Sequence, residues 1–170
     1  TQTEHVWDFT VDASSGITEL KWDNTSIAGD KDLILFDLKQ QKLIDMKDVG
    51  MYSFSAKQGN EFQIHFGNNL NGKIKPTRVT LSKPYPNPTN TSATIGFTIP
   101  ENKSSYQVNL EVYNSMGQRV VQLLNESFNP GFYNSVWETE NNMNGLYIYR
   151  LTVIENGVQK VFTEKIIINR

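Results

Sequence analysis

Apolar and polar positions alternate one for one along most of this chain, and helical spacing is hard to find anywhere. That period predicts strands, because successive side chains of an extended backbone point to opposite faces. Trp7, Phe9 and Val11 fall on one face, predicted inward, with Asp8 and Thr10 on the other; Leu20 and Trp22 repeat the pattern with Glu19 and Lys21 outward. Tyr52, Phe54 and Ala56 alternate with Ser53 and Ser55, and Phe62, Ile64 and Phe66 with Gln63 and His65. Between them DLILFDL (32–38) is apolar on both faces, as in a central strand covered on both sides. Turn signals fall at Ser14-Ser15-Gly16, Ala28-Gly29-Asp30 and Gln58-Gly59-Asn60. About six short strands over this stretch read as a small β-sandwich, residues 1–67.

Residues 68–84 hold two prolines and an Asn-Gly pair, with Val79 and Leu81 as the one apolar alternation. They read as a linker that becomes an edge strand, where proline forfeits no ladder bond. From Tyr85 to Arg170 strands are predicted near 93–99, 106–114, 119–124, 131–137, 146–154 and 159–168, punctuated by Gly117, Pro130-Gly131, Asn144-Gly145 and Asn156-Gly157. With the edge strand this is the count of an immunoglobulin-like sandwich. The fold class is therefore all-β, two tandem immunoglobulin-like β-sandwiches.

Charge supports the division. Residues 1–67 carry 11 acidic and 6 basic side chains, residues 68–170 carry 7 and 10, and all eight Asp lie in the first part. The basic residues of the second part are scattered, without the stripe that tracks a phosphate backbone, so nucleic acid is not expected as a partner. No cysteine is present, which excludes disulfides and thiolate metal sites. No apolar run reaches the length of a membrane span, and Thr1 is followed by a polar stretch without a secretory h-region. The chain reads as a mature or excised piece, the C-terminal part of something longer.

Candidate chemistry is sparse. His5 and His65 are both predicted on polar strand faces, with no nucleophile elbow in sight. Asp23, Asp30 and Asp32, with Asn24, gather around one loop and offer oxygen ligands to Ca²⁺, though their spacing matches no EF-hand and acidic turn residues commonly cap their own backbone. Asp23 and Asp32 are also the pair a glycosidase fragment would use, on one loop that does not fix their separation. Trp7, Trp22, Trp137 and the tyrosines could form a sugar platform, but most occupy inward positions.

In the second part, YPNP (85–88) leads TIGFTIP, and VNLEVYNSMGQRVVQLLN (108–125), GFYNSVWE (131–138), NGLYIYRLTV (144–153) and KIIINR (165–170) follow in order. This ordered set resembles the type A C-terminal sorting domain of the type IX (Por) secretion system, found at the ends of exported proteins in Bacteroidetes. Many members carry Asp where this chain has Asn114-Ser115, a departure expected to touch turn chemistry alone, since Asn tolerates positive φ. The resemblance implies that Tyr85, Pro86, Asn87 and Pro88 form a rigid entry to the domain, that Gly117 and Gly145 permit turns, that Tyr147 and Tyr149 fill the sandwich, and that Lys165, Ile166, Ile167 and Ile168 form the last strand. It further implies a secreted or surface protein, carried through the periplasm by the export and sortase-like machinery, non-catalytic in this region and without cofactor. An exposed apolar terminal edge would be a template for strand addition by a receptor. Residues 1–67 resemble, less specifically, the small β-domain that often precedes this module. A carbohydrate-binding or adhesive pair, with a cell-surface polysaccharide as partner, is the competing expectation; the direction of Trp7, Trp22 and Tyr52 separates the two.

Overall fold

The computed structural model describes residues 4–13, 16–25, 29–56, 59–70, 72–102, 105–155 and 157–170. Every element among them is a strand: β1 (His5–Val11), β2 (Gly16–Lys21), β3 (Asp32–Asp37), β4 (Lys42–Asp45), β5 (Met51–Ala56), β6 (Asn60–Gly67), β7 (Thr80–Leu81), β8 (Ser92–Ile99), β9 (Tyr106–Asn114), β10 (Arg119–Phe128), β11 (Gly131–Glu138), β12 (Gly145–Glu155) and β13 (Val158–Ile168). The chain forms two compact units, Thr1–Ile74 and Lys75–Arg170. Ser14, Ser15, Ala28, Gln58 and Asn156, named above in turn signals, lie outside the described residues.

In the first unit a four-stranded sheet, β1-β6-β3-β4, packs on the two-stranded sheet β2-β5. β3 is interior, as its two apolar faces predict. Its Leu35 joins Ile44, Tyr52, Phe54 and Phe62 in the core. The small second sheet is too short to cover the whole first sheet, and this corrects one inward assignment. Phe9 and Val11 reach the core, whereas Trp7, on the same face, is 50 % exposed. His5 belongs to that face as well, not to the polar one: it pairs with Phe66, and its ring stacks on Trp7 at a centroid distance of 5.7 Å. Trp22 and Tyr52 do point inward, Trp22 donating from Nε1 to the Met46 carbonyl at 2.8 Å. The segment after β6 stays with this unit, because Leu70 and Ile74 are buried and the Leu70 N–H donates to Asp32 Oδ2 at 2.7 Å.

The second unit is a sandwich of a four-stranded sheet, β10-β9-β12-β13, and a three-stranded sheet, β11-β8-β7. Alternation decides what lies between them. Ile95, Phe97 and Ile99 of β8 face Val108, Leu110 and Val112 of β9 and Tyr149, Leu151 and Val153 of β12, none more than 1 % exposed. Burying each such side chain contributes about 1.5–3 kcal/mol. Tyr147, near the start of β12, donates its hydroxyl to the Met143 carbonyl four residues upstream, at 2.8 Å. That is the tyrosine corner of immunoglobulin-like sandwiches, and it fixes the turn into β12. Gly117 supplies the positive φ, 78°, of the β9–β10 turn.

Candidate functional site

At one pole of the second unit, YPNP meets the terminal strand. Tyr85 is bound by its backbone to β8, donating to and accepting from Thr94 at 3.0 and 2.8 Å, which leaves its ring 80 % exposed. Pro86 and Pro88 bring no N–H, so this segment cannot continue a strand ladder through its own backbone. The side chain between them substitutes. Asn87 Oδ1 accepts the Ile167 N–H at 2.9 Å, and Asn87 Nδ2 donates to the Lys165 carbonyl at 3.2 Å, so one carboxamide occupies the place of a peptide unit on the outer edge of β13.

Backbone pairing takes over one step later. Thr89, itself buried, donates to the Ile167 carbonyl and accepts from the Asn169 N–H, both at 2.9 Å. Arg170 closes the pole: its Nε donates to the Asn90 carbonyl at 2.9 Å, a second guanidinium nitrogen donates to the Thr139 carbonyl, and its backbone N–H donates to Asn144 Oδ1 at 3.2 Å. Segment 165–170 is thereby bound to loops that lead out of both sheets. Each bond contributes about 1 kcal/mol, and together they fix one geometry.

The residues singled out in the sequence sort into two groups. Tyr147, Tyr149, Ile166 and Ile168 are buried, and the Tyr149 hydroxyl donates to the Ser82 carbonyl at 2.6 Å. Burial pushes that phenol well above its ordinary pKa, with Glu164 adding to the rise. Gly117 and Gly145 lie at turns, with φ of 78° and 151°. Tyr85, Pro86, Asn87, Pro88, Lys165 and Ile167 are exposed. The expected open terminal edge is a correction: along 165–169 that edge is already filled by residues 87–89, because the prolines seat Asn87 against it. Thr89, Asn90, Thr139, Asn144 and Arg170 complete the pole without having been singled out, although Asn144 carries a turn signal. Asn114 acts by a different route from the one expected. Its φ is not positive; its Oδ1 accepts the Met116 and Gln118 N–H groups, both at 3.0 Å, and Gly117 alone takes the left-handed conformation.

On the outward face of the four-stranded sheet a second cluster forms. Glu111 is buried and accepts from Arg119 at 2.8 Å, Arg150 at 2.8 Å and the Tyr113 hydroxyl at 2.6 Å. Burial acts to raise this carboxyl, but donation by Tyr113, Arg119, Arg150 and Asn109 outweighs it and brings the pKa down to about 2.

The acidic loop of the first unit does not assemble a site. Asp23 Oδ1 accepts the N–H of Thr25 at 2.9 Å, a local turn; Asp32 is engaged by Leu70; Asp30 is exposed. Among the described residues no group of three or more His, Cys, Asp or Glu could hold a metal ion. His65 is half-buried on the opposite face from Phe66, and burial lowers its pKa against the pull of Asp8.

The family profile of the secretion system C-terminal sorting domain matches residues 83–169. The chain belongs to this family. The pole is thus the place where the two ends of a sorting domain meet. Among solved structures, dimeric latent PorU from Porphyromonas gingivalis is similar at 17 % identity and a TM-score of 0.46, over 98 % of this chain and 20 % of that one. The β-glucuronidase of Parabacteroides merdae is similar at 11 % identity and a TM-score of 0.38, over 97 % of this chain and 28 % of that one. The sorting-domain chain thus spans about a fifth of the PorU chain it matches. No curated protein matches it.

Proposed function

We propose that this chain is the non-catalytic end of a secreted bacterial protein, its second unit directing export through the type IX system, by way of the periplasm, to attachment at the cell surface. The sorting-domain match over 83–169 supports the export role, and the clamp between Asn87 and the terminal strand is the observation that carries the reading. It joins the two most recognisable segments of the domain, 80 residues apart, into one exposed surface. The partners of that surface are the export and sortase-like machinery.

For the first unit a second reading has its own observation: Trp7 is half exposed with His5 stacked on it, and Phe66 lies 6.5 Å beyond His5, as a carbohydrate-binding module would place its rings. In the leading reading the same unit is a spacer that presents the sorting domain. The deciding experiment fuses the full chain to a periplasmic fluorescent reporter in a type IX-competent bacterium and compares it with the same fusion lacking 165–170. Surface delivery that the deletion abolishes is the expected result; equal delivery of both fusions sinks the sorting role.

A further inference from the structure

Because 87–89 fill the outer edge of β13 along 165–169, a partner cannot add a strand there while the clamp holds. What the same segment leaves free is its outward side-chain face. Ile167 is paired with Leu146 of β12, and the two are 44 % and 41 % exposed. Lys165 is paired with Ile148, which stands beside Tyr113 of β9. Since the Ile167 N–H and carbonyl point away from β12, the Ile167–Leu146 pair, and by alternation the Lys165–Ile148 pair, are the closely spaced kind whose side chains merge into one surface.

The charge on this face is one-sided. Among the described residues Arg119, Arg150 and Lys165 share it with one carboxylate, Glu111, which is buried and already occupied by both guanidinium groups. The exposed surface is therefore an apolar row edged by cations, directly continuous with the YPNP pole.

We propose that the export partner reads this face, docking a protein surface of apolar side chains rimmed by carboxylates onto Leu146, Ile148, Lys165 and Ile167, and that Asn87 is the positioning residue that holds β13 for it. This rests on the export reading of the second unit. Charge complementarity sets the orientation, and the apolar row supplies the contact that excludes water. Strand addition is the competing mode, and it makes the opposite prediction for Asn87.

The test uses the full-chain reporter fusion, scored by the surface-exposed fraction, with thermal melts of each purified variant to establish that it folds. Ile167→Asp and Lys165→Glu change exposed side chains and are expected to lower surface delivery roughly tenfold each. Val161→Asp, on the same strand face but away from the pole, is expected to leave delivery unchanged. Asn87→Ala is expected to lower delivery while speeding hydrogen exchange at the Ile167 amide, and Asn87→Asp, which keeps an acceptor for that amide, to recover part of both. Wild-type delivery by Ile167→Asp and Lys165→Glu overturns the docking face. Higher delivery by Asn87→Ala overturns it in favour of strand addition. Retention of the wild-type fusion itself overturns the export reading beneath it.

Discussion

Replacing Glu111 by Gln removes one negative charge at a point where two guanidinium groups and a phenol converge. The folded carboxyl is held near pKa 2 against an ordinary 4.5, a difference worth about 3 kcal/mol. Both arginine side chains are about half exposed, so solvent screening reduces the figure to roughly 2 kcal/mol. A depressed carboxyl pKa stabilises the fold in full above the unfolded value of about 4.5, and that contribution is lost as pH falls from there toward 2. The variant should therefore melt roughly 8–16 °C below the wild type at pH 7 in the transition of the second unit, and the gap should close by pH 2. Differential scanning calorimetry of both proteins across this range measures it, and the first unit, identical in the two, drops out of the difference. A variant within about 2 °C of wild type at pH 7, or a gap that persists undiminished to pH 2, refutes the assigned role of this carboxylate.

Three further outcomes are expected. Ile166→Ala empties a fully buried position facing the sandwich core and should cost about 2–5 kcal/mol in urea unfolding; a loss below about 1 kcal/mol would show that the terminal strand is not packed there. Tyr52→Phe removes the hydroxyl that donates to buried Asp37 Oδ2 at 3.0 Å, and should lower the stability of the first unit by about 1–3 kcal/mol, read from its own thermal transition. Gly117→Ala meets no neighbouring atom but must hold φ at 78°, so a purely backbone cost of about 1–2 kcal/mol is expected by thermal melt, and no cost would mean the turn relaxes.

Much of the second unit was legible because both of its signals are local. Alternation placed β8, β9 and β12 with their inward residues, and glycines marked the turns between them. Trp7 failed for a reason that alternation cannot express: a face is buried only as far as another sheet covers it, and β2-β5 stops short of Trp7 and His5. The Glu111 cluster needs the register of three strands at once, with Arg150 opposite Glu111 on β12 and Arg119 reaching in from β10. Asn87 was named for its place between two prolines, yet its bonding to Lys165 and Ile167 spans 78 and 80 residues, a distance over which no sequence spacing carries information. The acidic loop shows the converse, since Asp23 and Asp32 are close along the chain yet turn to different backbone partners, Asp23 to a local turn as the sequence reading favours.

The pole of the second unit is built from segments made early and late in its synthesis. Asn87, Thr89 and Asn90 wait for Lys165, Ile167 and Arg170, and neither group has the other's bonds until the intervening strands have folded. A ribosome that stops short, or a protease that removes the last strand, leaves the first group without its counterpart. A partner that reads this surface, as proposed above, meets it only on a second unit whose strands have all been made and folded.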